Sequence, residues 1–145
     1  MTALIPPLVI DSSVAVKWLV VKNESNVVEA DNILKNFEAG KIRIFIPEIS
    51  KYEVGNTLLK KGLDLPNMKS ALKEFHDLPI NFIRESIESA NLSIEIAYEN
   101  KISYYDASFI ALAKQLKADL ITENIKHLGR YKGKEIKIIP LKDYK

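Results

Sequence analysis

Leu8-Val9-Ile10-Asp11-Ser12-Ser13 is the stretch from which the fold is read. Three apolar residues run straight into an aspartate. Two hydroxyl residues follow, and Val14-Ala15-Val16-Lys17-Trp18-Leu19 continues as a helix-like run. A short, wholly apolar run ending at a capping residue reads as a buried parallel strand feeding a helix. The strand spans residues 8–11 and the helix about 13–21. Asp11 then sits at the carboxyl end of the strand, the edge of an open α/β sheet where sites are built.

The same alternation continues along the chain. Val27, Ala30, Leu34 and Phe37 recur at helical spacing between a cap at Ser25 and a stop at Gly40. Ile42-Arg43-Ile44-Phe45-Ile46 is β-rich and alternating, a strand. Pro47 suits the first position of a helix that carries Glu48 in its first turn, runs to about residue 61 and stops at Gly62. Pro66 opens another, with Met68, Leu72 and Phe75 on one face. Residues 79–83 read as a short strand, and Ile87, Ala90, Ile94 and Ala97 mark a helix to about residue 100. Ser103 caps a helix that is apolar almost all round, through Ala107, Phe109, Ile110, Ala111, Leu112, Ala113 and Leu116. Such a helix is buried on more than one side. Residues 119–122 and 136–139 are the last strands. Strands alternating with helices, with no linker, low-complexity segment or repeat, predict one domain over residues 1–145. Its fold class is a three-layer α/β/α arrangement around a central, mostly parallel sheet.

The composition narrows the chemistry. The 145 residues suffice for one real core. With 47% hydrophobic and 28% charged residues, a disordered chain is excluded. A net charge of +2 permits a nucleic acid partner without arguing for one. There is no cysteine, which excludes disulfides, zinc–thiolate sites and a cysteine nucleophile. Residues 1–7 lack a basic, then apolar, leader, and no run of eighteen apolar residues occurs. A cytoplasmic protein with no membrane segment is therefore expected. No Gly-rich phosphate loop is present. The two histidines, His76 and His127, lie far apart in sequence. Lys126, Arg130, Lys132 and Lys134 form a loose basic run that reads as a solvated loop and could also steer RNA.

Four polar positions remain, each with a plain structural explanation. Asp11 before a helix is a preferred N-cap. Glu53 shares a narrow helical stripe with Ile49, Asn56 and Lys60, flanked by Tyr52 and Leu59, so the stripe leans toward the core. A carboxylate there needs a partner or a metal, and a surface pair with Lys60 or Asn56 is the alternative. Asp106 lies three residues after Ser103, where a capping box would use it. Thr122-Glu123-Asn124 follows an apolar strand as a turn would. Taken together, two strand ends and two helices deliver carboxylates and carboxamides to one sheet edge. Clustered carboxylates repel, and so protonate or bind cations. Mg²⁺ or Mn²⁺ takes such oxygen ligands and keeps waters beside them.

At these residues the chain resembles the PIN-domain nucleases, most of all the VapC-type toxins of prokaryotic toxin–antitoxin pairs. The resemblance rests on Val9-Ile10-Asp11-Ser12-Ser13 and on Pro47-Glu48-Ile49-Ser50-Lys51-Tyr52-Glu53-Val54-Gly55-Asn56-Thr57-Leu58. It continues in Tyr105-Asp106-Ala107-Ser108-Phe109-Ile110-Ala111-Leu112-Ala113 and Leu120-Ile121-Thr122-Glu123-Asn124. It covers essentially the whole chain. It implies a metal-dependent endoribonuclease hydrolysing RNA phosphodiester bonds, the toxin of such a pair. A non-catalytic PIN-like module binding RNA or protein is the alternative. Asp11, Glu53 and Asp106 would be the catalytic triad holding Mg²⁺ or Mn²⁺, with Asn56 and Thr122 toward the substrate. The family's fourth acidic position is Asn124 here, a metal position offering one neutral carbonyl oxygen. One tight ion is therefore expected, with a second only alongside substrate phosphate. The partners implied are RNA, a cognate antitoxin and a second copy. The homodimer also follows from the 47–61 helix, whose Val54 and Leu58 lie opposite Ile49.

Overall fold

The computed structural model describes residues 4–145. Residues 1–3, part of the segment read as lacking a targeting leader, lie outside that range. Five strands form one sheet, β1 (Pro7–Ile10), β2 (Arg43–Pro47), β3 (Asn81–Ile83), β4 (Asp119–Thr122) and β5 (Ile138–Pro140), in the order β3-β2-β1-β4-β5. Every pairing is parallel, so the expected mostly parallel sheet is wholly so. Leu8 stands beside Ile44 on one side and Asp119 on the other. Val9, Ile10, Ile44, Ile46, Leu120 and Ile121 are fully buried, as strands covered on both faces require. The chain winds from β1 through β2 to β3, then returns to the far side of β1 for β4. The switch point of this three-layer α/β/α fold therefore lies between β1 and β4.

The helices are α1 (Ser12–Ala15), α2 (Val27–Glu38), α3 (Ser50–Leu58), α4 (Leu65–Asp77), α5 (Ile87–Asn100), α6 (Tyr104–Leu116) and α7 (Ile125–Leu128). The nearly all-apolar α6 lies against β1, β2 and β4, with α5 packed along it. Ala107 and Phe109 through Ala113 are all buried, as its composition predicts. On other elements, α1 meets both α3 and β4.

Several expectations shift. The helix over 13–21 is instead α1 followed by a 3-10 turn, Val16–Trp18. Asn26, in a left-handed conformation, and not Ser25, precedes α2. Pro47 ends β2, and α3 begins three residues later. The β1–β2 register ends at Val9 and Phe45, so Pro47 costs no ladder bond toward the centre of the sheet. The inward face of α3 is Ser50, Val54 and Leu58 at i, i+4, i+8, whereas Tyr52 is 75% and Leu59 70% exposed. Val54 and Leu58 are thus core, not a free second face. Likewise α5 buries Ser93, Ile96 and Ala97 and leaves Ile87 and Ile94 exposed. The last strand sits at 138–140 rather than 136–139. The short α7 has no counterpart in the sequence reading.

Candidate active site

Asp11 follows β1 directly, in extended conformation ahead of α1, yet its side chain makes no capping bond. Its carboxylate faces β4 instead. Thr122 Oγ1 donates to Asp11 Oδ2 at 2.7 Å, and Ser13 Oγ donates to the same oxygen at 2.8 Å. Each hydroxyl in turn accepts a backbone N–H from the turn after β4. Glu123 N–H donates to Ser13 Oγ at 3.1 Å, and Asn124 N–H to Thr122 Oγ1 at 2.8 Å. A hydroxyl carries one proton, and with an N–H pointing into each oxygen that proton is directed at Asp11. Oδ2 is thereby pinned twice. Asp11 is 5% exposed.

Glu53, half-buried on α3, is held in the same way from α1: Ser12 Oγ donates to its Oε1 at 2.8 Å. It makes no bond to Asn56 or Lys60, which removes the surface-pair explanation. Asp106 sits in the first turn of α6. Its N–H donates to Ser103 Oγ at 3.0 Å, but the reciprocal half of a capping box is absent. Among the described residues its carboxylate makes neither hydrogen bond nor ion pair.

Burial pushes the Asp11 carboxyl above its ordinary value, and Asp106 adds to the rise, while the hydroxyls of Thr122 and Ser13 and the Ser12 backbone oppose it. Burial raises Glu53 too, against the Ser12 hydroxyl, with Asp11 and Asp106 adding. The three carboxylates therefore feel one another. None has a cationic partner among the described residues. No three histidine, cysteine, aspartate or glutamate side chains among these residues are grouped closely enough to hold a metal ion by themselves. Carboxylate charge without a cationic partner is the hard-oxygen chemistry that Mg²⁺ takes while keeping most of its waters.

The other expected site residues are placed as follows. Thr122, expected toward substrate, is fully buried with its hydroxyl committed to Asp11; it orients the carboxylate. Asn56 is exposed on α3. Asn124 is half-buried, and its carbonyl accepts the N–H groups of His127 and Leu128 that open α7. His127 and His76 are exposed, as are Lys126, Arg130, Lys132 and Lys134. Glu123 is drawn to Asn26 Nδ2, at 3.1 Å from Oε1, and to Lys17 Nζ, at 3.3 Å from Oε2. The positioning hydroxyls and Lys17 escaped the sequence reading. A lone lysine inside Val14-Ala15-Val16-Lys17-Trp18-Leu19 was the available signal, since a cation in a buried run must be paired. A cavity of about 290 Å³ opens on the same sheet edge, beyond β2 and β3, lined by Tyr52, Arg84, Ser93, Tyr104 and Tyr105 among others.

A wholly parallel α/β sheet carries Asp11 at its switch point, with Glu53 of α3 and Asp106 of α6 near enough to bear on its charge or on each other's surroundings. The chain belongs to the PIN domain family, which matches residues 8–134. No curated protein sequence matches it. Among solved structures it is similar to a toxin–antitoxin complex from Klebsiella pneumoniae, at 21% identity and TM-score 0.64, covering 89% of this chain and 94% of that one. It is also similar to VapBC2 from Rickettsia felis bound to a DNA fragment from its promoter, at 19% identity and TM-score 0.69, covering 92% and 98%. DNA-bound VapBC from Salmonella typhimurium follows at 16% identity and TM-score 0.66, covering 94% and 98%. At these identities the likeness is one of fold. No helix among the described residues is long and apolar enough to cross a membrane.

Proposed function

We propose that the chain acts as a single PIN-like domain, a cytoplasmic, metal-dependent endoribonuclease that hydrolyses RNA phosphodiester bonds and is the toxin of a toxin–antitoxin pair. The observation that carries this reading is the acidic edge. Asp106 opposes the ionisation of Asp11 and of Glu53, Asp11 opposes that of Glu53, and none of the three has a cationic partner among the described residues. Evolution tolerates such charge where a cation or a substrate resolves it.

Asp11, through the oxygen that Ser13 and Thr122 leave free, would hold Mg²⁺ or Mn²⁺ with Glu53 and Asp106. Bound there, the ion would supply an activated water and neutralise charge on a phosphodiester attacked in line. Asn124 would add a neutral carbonyl oxygen for a second, weaker ion. The chain's own residues do the positioning. Ser12 holds Glu53, and Ser13 and Thr122 hold Asp11. Tyr52 and Tyr105, each beside one of the acids and each exposed, offer faces on which unpaired bases stack. Asn56 and the basic segment from Lys126 to Lys134 would meet the RNA backbone.

The solved structures similar to this chain are, by their descriptions, toxin–antitoxin complexes. They support a cognate antitoxin as partner here, to be sought by co-purification from the native source. The exposed apolar residues of α3 and α5 support a homodimer. Asn124 at the fourth position and the open spacing of the acids favour a second reading, a PIN-like module that binds RNA or protein without cutting. Incubation of RNA with the protein in Mg²⁺, Mn²⁺ or EDTA separates the two. Cleavage is expected with either metal, none in EDTA, and none in folded Asp11→Asn, Glu53→Gln or Asp106→Asn. Wild-type cleavage in any two of these variants would falsify the assignment.

A further inference from the structure

We propose that Lys17 is a positioning residue that withholds Glu123 from the acidic edge, and so limits how many cations that edge takes. The proposal rests on the metal-using reading above.

Lys17 lies in the 3-10 turn after α1 and is 5% exposed. Its ammonium donates to the Ser25 carbonyl oxygen at 2.7 Å and to Glu24 Oε1 at 3.3 Å, and it pairs as an ion with Glu123 Oε2 at 3.3 Å. Glu24 Oε2 continues the chain to Lys61 Nζ at 2.8 Å. Charges thus alternate from Lys61 through Glu24 and Lys17 to Glu123. Asn26 Nδ2 occupies the other oxygen of Glu123. Both oxygens of this carboxylate are committed on the side of the 21–26 loop.

The backbone of Glu123 is nonetheless at the site. Its N–H reaches Ser13 Oγ, which donates to Asp11 Oδ2, so one peptide unit from Asn124 stands an acid two hydrogen bonds from Asp11. What keeps its charge out is Lys17. Without that ammonium, Glu24 keeps Lys61, but Glu123 keeps only the neutral amide of Asn26. A partly buried carboxylate in that state gains most by joining the nearest cation. Removing the ammonium also deepens the negative potential at the edge.

Calorimetric and electron-paramagnetic titration with Mn²⁺ tests this directly, without a cleavage assay. Lys17→Met is expected to take one more Mn²⁺ per chain and to bind on the order of tenfold tighter, since affinity follows ligand charge. Adding Glu123→Gln to that variant should abolish the gain. Lys61→Met, which removes the same charge while Lys17 still holds Glu123, should titrate as wild type, and so should Glu123→Gln alone. Weaker Mn²⁺ binding in Glu123→Gln overturns the proposal, because Glu123 would already be a ligand. Equal gains in Lys17→Met and Lys61→Met overturn it too, because net charge alone would then suffice. If Lys17→Met does not fold, Lys17→Gln and the Glu123→Gln arm decide the same question. Binding absent from wild type but present in Lys17→Met sustains the lock and overturns the metal reading of the native chain; binding absent from both overturns both.

Discussion

Asp11 ionises against its surroundings. Burial is the first cause and Asp106 adds to it, so the folded-state value lies above the unfolded one. A raised carboxylate stabilises the fold only where it is protonated. That contribution is full below the ordinary carboxylate range and is lost as pH rises through the raised value. At neutral pH, without metal, the fold carries the penalty. Asp11→Asn keeps an acceptor for Ser13 and Thr122 and removes the charge. In EDTA at pH 7 its melting temperature should exceed the wild type's by a few degrees, and the gap should close toward pH 4. Scanning calorimetry at the two pH values checks it, and a variant less stable than wild type at pH 7 would refute the sign. Lys17 is the opposite case, a buried cation between two carboxylates. Lys17→Ala should cost about 3–5 kcal/mol in urea unfolding, because the partly buried Glu123 loses its cation and Glu24 loses one of its two.

At the scale of elements, α3 shows what a single sequence can carry. Its apolar residues lie on two sides, and periodicity does not say which side meets the sheet. Tyr52 and Leu59 looked inward beside Glu53, but Val54 and Leu58 are the core. The phase of the helix depends on where it starts, and Pro47 belongs to β2 rather than to the helix. Leu58→Ala should therefore cost about 2–5 kcal/mol, and Leu59→Ala no more than about 0.5 kcal/mol, by denaturant unfolding. Similar costs at the two positions would mean that the faces are misassigned. On α5 the marking residues Ile87, Ala90, Ile94 and Ala97 located the helix without choosing its inner face, which holds Ala97 and not Ile87 or Ile94. By contrast, β1 and α6 were legible, because a short apolar run or a helix apolar all round has no alternative face, and β2 and β4 were legible from short β-rich runs. Asp11, Glu53 and Asp106 were singled out in the sequence, each with a plain alternative, and the resemblance supplied their shared role. Their supports were not, because Ser12 meets Glu53 across 41 residues and Asn26 meets Glu123 across 97. Only the folded topology brings those partners together.

On the whole molecule, one group of exposed apolar side chains borders neighbouring cavities. Tyr52 of α3, Ser93 of α5 and Tyr104 of α6 line a single cavity, and Ile94, Tyr98 and Tyr104 line a shallower one beside it. Ile87, Ile94 and Tyr98 are 73%, 56% and 86% exposed. A patch of this kind marks an interaction surface. Light scattering at high micromolar concentration should give the mass of a dimer, and Ile94→Glu with Tyr98→Glu should return it to a monomer. A wild-type monomer under those conditions would sink the dimer reading.

The bond from Thr122 to Asp11 spans 111 residues, and this separation governs when the site can exist. At synthesis rates of about 5–20 residues per second, Asp11 is made roughly 5–20 s before the residue that orients it. Glu53 and Asp106 also precede that residue, so every acid of the edge is translated before β4 is finished. Until then β1 has no neighbour on that side, and the Asp11 carboxylate has no threonine to hold it. A ribonuclease of the kind proposed, born on a machine made of RNA, would thus be withheld from action by the order of its own strands.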